Sequence, residues 1–294
     1  MQSKPLTGVG LWSGGLRRHP DDAEIRAAAA ELEELGYAAL FIPGGPVAAA
    51  DVFPAIVRLL DSTRSIPVVT GILSIWMNDA SSVASFFAET EQSHPGRLIT
   101  GLGVSHAPLV DRDDPGRYTK PLTAMRAYLD ELDASDPPVP KERRLLAALA
   151  PKMLELSRER ALGAHPYFVP VAHTRYAREQ LGPDPVLAVE QAVLLETDPV
   201  VAREHARKHM APYLTLPNYV QNILRHGYAE EDVADGGSDR LVDEIVCWGD
   251  EEAIGARIAA HREAGADHVC LQVVGPLDQG LPLDDWRRLA VLTG

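Results

Sequence analysis

The feature that most constrains this chain is an alternation. Short runs rich in β-branched residues end in Gly or small polar residues, and stretches with helical spacing lie between them. The runs are Thr7–Trp12, Tyr37–Pro43, a run opening at Ile66, Leu98–Gly103, Arg144–Leu149, Ala164–Val169, Pro185–Glu196 and Ala266–Val274. The intervening stretches carry helix signals. From Asp21, residues Ile25, Ala28, Ala29, Leu32 and Leu35 share one face, acidic residues crowd the first turn, and Gly36 supplies a stop. A strand–helix alternation repeated this often predicts an α/β fold, a parallel (β/α)8 TIM barrel, over an open sheet. One segment interrupts the pattern. From His226 to Asp239 (226–239) the chain reads as an insertion after the seventh strand, not a domain boundary, so residues 1–294 form a single domain.

Charge and cysteine usage narrow the function. The 294 residues carry a formal charge of −14, which argues against nucleic acid and against an anionic membrane surface. No apolar run approaches a bilayer-spanning length, and the N-terminus lacks the apolar core of a secretory signal. Cys247 and Cys270 make neither a disulfide framework nor a zinc site. The expectation is a soluble, cytoplasmic, reduced protein acting on a small molecule.

In a barrel of this kind the chemistry lies where strands end and helices begin. That rule selects Trp12 and Ser13; Pro43, Gly44 and Gly45; Gly71, Ile72, Leu73 and Ser74; Gly103, Val104, Ser105 and His106; Val169, Pro170 and His173; and Glu196. It places His94 and Arg97 at the opposite end, in a turn. The third strand is the most distinctive. IPVVTGILSIWMNDA (Ile66–Ala80) begins as a buried strand, but Gly71 marks a bulge or a close approach, and Ser74, Trp76 and Asn78 follow. A planar ligand would suit this strand end, and so would a loop that packs a Trp. The run GLGVSH (Gly101–His106) offers backbone N–H groups at a strand end for a phosphate, or forms an ordinary turn. It lacks the third Gly of a dinucleotide fingerprint.

Other side chains stay open between two duties. His106 and His173 are candidate proton donors or loop caps bound to backbone carbonyls. Arg17, Arg18, Arg112, Arg117 and Lys120 form a basic rim for an anionic tail or are ordinary solvated charges. Trp12 and Trp76 wall a ring or pack a core, and Tyr213 and Tyr219 serve a dimer contact or the pocket. His205 and His209 have metal-ligand spacing without a third ligand, and read better as flanking the apolar stripe Ala202, Ala206, Met210.

Together, LEELGYAALFIP, the TGILS strand end, HPGRLITGLGVS and GDEEAIGARIAAHREAGADHVCLQV resemble the bacterial-luciferase-like flavin and F420 superfamily over nearly the whole chain. The segments LLAALAPKMLELSRERALGAHPYFVP, PYLTLPNYVQNIL and GGSDRLVDEIVCWGD resemble an actinobacterial subgroup of F420-dependent oxidoreductases. The resemblance implies a barrel with an insertion, a homodimer, and a cofactor lying across the barrel mouth: F420, with FMN as the alternative. It implies a cis non-prolyl peptide at Gly71-Ile72 backing the ring, and Gly101 and Gly103 near the cofactor's tail phosphate. Cofactor contacts are thereby expected from Trp12, Ser13, Gly71, Ile72, Leu73, Ser74, Gly101, Gly103, Val104 and Val169.

Two departures from the family pattern bear on the chemistry. Alcohol-oxidising relatives carry a His or Glu after the second strand, where this chain has Pro43-Gly44-Gly45. Val104 stands where some relatives have Glu. Without the usual base, the expected activity is F420-dependent hydride transfer in the reductive direction, with His106 or His173 as proton donor. The alternatives are an FMN-dependent monooxygenase and a cofactor-binding protein without catalysis.

Overall fold

The computed structural model describes residues 4–44, 49–112, 114–275 and 280–294. Its strands are β1 (Gly8–Trp12), β2 (Leu40–Ile42), β3 (Val68–Thr70), β4 (Leu73–Ser74), β5 (Leu98–Gly103), β6 (Arg144–Leu146), β7 (Gly163–Ala164), β8 (Val186–Leu194), β9 (Val246–Trp248) and β10 (His268–Val273). They run β10-β1-β2-β3-β5-β6-β7-β8, and β8 pairs back onto β10 to close a barrel. Every pairing is parallel. β4 continues β3 beyond an interruption and pairs only with β5. β9 flanks the upper part of β8. The helices lie between successive strands in the chain, so the architecture is the TIM barrel that the alternation predicts.

The hydrophobic residues form three cores. Leu6, Ala39, Phe41, Val69, Ile99, Leu145, Val186, Ala188 and Cys270 fill the barrel itself. A larger core that includes Val9, Leu11, Ile25, Leu40, Val68 and Leu187 lies between strands and helices. Leu40 and Phe41 fall in different cores because neighbouring strand residues face opposite ways. The third core belongs to the excursion from β8 to β10. Helices Pro199–Met210, Pro217–Arg225 and Asp239–Ile245 bury Ala202, Ala206, Met210, Ile223, Leu241 and Val242 against one another and against Phe168. Segment 226–239 lies in the middle of this excursion and contributes the short helix Glu230–Val233.

Several boundaries differ from the sequence expectation, for local reasons. Asp198–Arg225 is not one helical region: Pro212 and Pro217 cannot donate, and a 3-10 turn at Tyr213–Thr215 separates two helices. The strand expected at Ala164–Val169 stops at Ala164, and Phe168 then takes a left-handed φ of 58°.

Candidate active site

The mouth is the end of the barrel where strands finish. Nearly all strand residues are buried, yet Trp12, Gly71, Ile72 and Gln272, with Tyr167 in the loop after β7, each stay partly exposed there. They form its floor.

The third strand organises this floor. The Gly71-Ile72 peptide is cis, at the position where the resemblance put it. Trp12 donates its indole N–H to the Gly71 carbonyl at 3.1 Å. Gly71 has no room for a side chain, since a Cβ would lie 2.8 Å from the Trp12 nitrogen and 3.3 Å from His165 Nε2. Three more glycines make room for the same bulge. A Cβ at Gly44 would meet the Ile72 carbonyl at 2.5 Å, one at Gly103 would meet Ile72 Cδ1 at 2.5 Å, and one at Gly101 would collide with the Thr70 carbonyl. The reading of GLGVSH as a run of bare N–H groups fails at Gly101. Gly101 and Gly103 lie inside β5, and the Gly101 N–H donates to Thr70 Oγ1 at 2.7 Å. Their visible duty is to admit the bulge. Among the other expected contacts, Leu73 is buried in the core between strands and helices, as is Val169. Ser13 accepts the Gly15 N–H, and Ser74 is fully buried with an unpartnered hydroxyl. The Val104 carbonyl accepts the indole N–H of Trp76 at 2.7 Å, which ties Trp76 to the loop after β5. Gly45 lies outside the described residues.

An aromatic wall rises over the floor from the excursion. The Tyr167 ring lies 5.6 Å from Trp12 and 5.3 Å from Tyr213, and Tyr219 lies 5.3 Å from Phe168. Tyr167 donates to Gln272 Oε1 at 2.9 Å, which leaves Tyr213 to donate to the Tyr167 oxygen at 2.7 Å. Both tyrosines named in the sequence therefore belong to the mouth. Arg18 is exposed beside it, with its guanidinium over Gly14. Arg117 instead donates to the Trp76 carbonyl.

The two candidate histidines are neutral. His106 packs 4.6 Å from the Tyr219 ring, and burial pushes its pKa down to about 4. His173 has no exposure, donates from Nε2 to the Leu149 carbonyl at 3.2 Å, and is pushed by burial down to about 3. The proton His173 carries is committed to a carbonyl, so the structure supports its loop-binding reading over proton donation. His209 faces Tyr213 at 5.3 Å, and no cluster of metal-ligating side chains occurs among the described residues. Glu196 accepts the N–H groups of Thr197 and Asp198, capping its own turn.

A different carboxyl reaches the interior. Glu190, in mid-β8, is only 3% exposed; its Oε2 accepts the Phe168 N–H at 3.1 Å and its Oε1 has no partner among the described residues. The residue lies on the barrel-facing side of the strand with Val186 and Ala188, whereas Gln191 faces outward and bonds His261 and the Ile245 carbonyl. The strand-end rule passed over Glu190 because it sits in mid-strand. The signal available was an adjacent Glu-Gln pair in an otherwise apolar run, one of which must face the interior.

The fold is a TIM barrel with its mouth where the strands end, and comparison with known families places it. The luciferase-like monooxygenase family model matches residues 7–268, and the chain belongs to that family. Among solved structures, a coenzyme F420-dependent tetrahydromethanopterin reductase from Methanopyrus kandleri superposes with a TM-score of 0.74 at 15% identity, covering 98% of each chain. An F420-dependent secondary alcohol dehydrogenase in complex with an F420-acetone adduct gives 0.69 at 15%, also over 98% of each chain. The oxygenating constituent of 3,6-diketocamphane monooxygenase from Pseudomonas putida, a type II Baeyer-Villiger monooxygenase in complex with FMN, gives 0.69 at 14%, over 98% of this chain and 97% of that one. At such identities the likeness shows the shared fold. Comparison with curated proteins finds no sequence match.

Proposed function

We propose that this protein is an F420-dependent oxidoreductase that works in the reductive direction, passing a hydride to an activated double bond of a small organic substrate. The observation that carries the reading is the glycine-lined floor at Gly71 and Ile72, with Trp12 bonded to the Gly71 carbonyl. That floor fits a planar ring. It is partly exposed and lined by glycines at 44, 101 and 103, and Ser74 Oγ and Glu190 Oε1 lack partners among the described residues. Trp12, Gly71, Ile72 and Ser74 would hold the ring, and Arg18 would meet an anionic tail. The bound deazaflavin supplies a hydride donor or acceptor; the chain supplies position, a rigid backing and exclusion of water. The reductive direction rests on the second strand, which ends at Pro43 and Gly44 without a titratable side chain. By analogy with its superfamily the enzyme would be a homodimer, which sedimentation checks.

Fluorescence titration of the purified protein with F420 and with FMN tests the reading. Micromolar binding of F420, little binding of FMN, and oxidation of reduced F420 by an unsaturated ketone are the expected results. Preference for FMN, with oxygen consumed in the presence of reduced FMN, would replace it with a monooxygenase. Tight binding without turnover across substrates would leave a cofactor-binding protein.

A further inference from the structure

We infer that Glu190 is the proton donor of this site, the acid that completes reduction of a double bond conjugated to a carbonyl. The inference rests on the functional reading above and adds a residue that the strand-end rule did not reach.

The geometry comes first. Glu190 is held in one orientation by the Phe168 N–H at 3.1 Å, a bond supplied by a residue with a left-handed φ of 58°. That orientation leaves Oε1 buried and without a partner among the described residues. Burial without a facing donor disfavours the charged carboxylate, and with Oε2 accepting an N–H the proton of the neutral form lies on Oε1. The groups that face Glu190 do nothing to change this. They are the phenols Tyr167, Tyr213 and Tyr219, from the loop after β7 and from the excursion, and the thiol of Cys270, paired with it across β10. All are neutral at pH 7, because burial raises each of them further above its ordinary value. Burial also pushes Glu190 up to about 8, against the opposing pull of the Phe168 N–H. At neutral pH Glu190 therefore keeps its proton, while burial holds His106 as a neutral base.

The step balances. One carbon of the substrate's double bond takes a hydride, with its electron pair, from the reduced deazaflavin. The carbon next to the carbonyl takes the proton from Glu190 Oε1. The cofactor leaves oxidised by two electrons, its remaining ring proton passes to solvent, and the Glu190 carboxylate recovers a proton from water. A carboxyl with a pKa near the working pH suits this role.

Glu190→Gln keeps an acceptor for the Phe168 N–H and removes only the acid. Three readouts separate the possibilities. F420 affinity is measured first, and should be unchanged within about threefold in the variant. If wild type binds neither F420 nor FMN, the functional reading fails on its own. The second readout is the difference in Tm between wild type and Glu190→Gln as pH rises. A carboxyl whose folded pKa is raised stabilises at low pH and loses that contribution as pH climbs to its folded value, so the difference should shift against wild type from about pH 4.5 to about pH 8. The third is turnover. With reduced F420 and an unsaturated ketone, Glu190→Gln should lose about 10²–10⁴-fold in kcat and lose the basic limb of the wild-type pH profile. A flat Tm difference, or wild-type turnover in a variant that binds F420 normally, overturns the inference.

Discussion

The two ends of the barrel treat their polar groups in opposite ways. At the end where strands begin, charged side chains tie strands and loops together. Arg97 donates to the carbonyls of Leu60, Thr63 and Ile66. The Glu33 carboxylate accepts the N–H groups of Arg64, Ser65 and Ile66 and is held down at about 2. Arg178 bonds Gly265, Gly182, Pro185 and Asp267. Arg144 and His268 are exceptions there, with two nitrogens and one nitrogen respectively lacking a partner among the described residues. At the mouth, Glu190 Oε1, Ser74 Oγ, His106 Nδ1 and Asn78 Oδ1 have no partner among the described residues. An unpartnered buried polar group costs about 1–3 kcal/mol, so the mouth forgoes stability that the other end has. The lesson is a division of labour: one end holds the strands in register, and the other leaves buried polar atoms without partners among the described residues.

Substitutions at each end can break or sharpen this contrast. The largest effect is expected from Arg97→Ala. It strips a half-buried guanidinium from three carbonyls and should cost about 3 kcal/mol in urea unfolding, with F420 affinity unchanged. A variant that lost binding but not stability would break the contrast. Next comes Gly101→Ala, whose added methyl collides with the Thr70 carbonyl. Overpacking at the bulge should cost about 1–3 kcal/mol and, unlike Arg97→Ala, lower cofactor affinity at least tenfold.

Glu33→Gln should cost about 2 kcal/mol at pH 7, in a pH-dependent way. A carboxyl with a depressed folded pKa stabilises above its unfolded value and loses that contribution as pH falls toward the folded one. Stability curves of wild type and variant should therefore converge from pH 4.5 toward about pH 2. Parallel curves would mean the carboxylate is not held by those N–H groups. The smallest effect is expected from Ser74→Ala. Removing a buried unpartnered hydroxyl should leave the ligand-free protein equal or about 0.5–1 kcal/mol more stable, while weakening cofactor binding. A clear loss of stability would show that Ser74 belongs with the structural end.

Much of this was legible beforehand. The period of each apolar run and its Gly or Pro punctuation are local signals, so the barrel and the boundaries of Leu98–Gly103 could be read directly. The bulge at Gly71 was legible as a Gly misplaced in a strand pattern. The roles of Gly44, Gly101 and Gly103 were not, because the atoms they avoid belong to Thr70 and Ile72, on a strand distant in the chain. Tyr213 and Tyr219 were named but ambiguous, since only packing puts them beside Tyr167 and Phe168. His173 was misleading for the same reason: its distance from a strand end says nothing about the Leu149 carbonyl that occupies it.

The sequence by itself determined the alternation, the fold class it implies and the lack of an acid or base at Pro43 and Gly44, because periodicity and residue type are properties of neighbouring positions. Only the tertiary structure decided which polar atoms meet and which stay unpaired. Glu190 and Gln191 are adjacent and chemically similar, yet one lies inside the barrel with a free oxygen and the other is fully bonded outside it. That difference comes from the two-residue period of β8 combined with what closure of the barrel brings against each face.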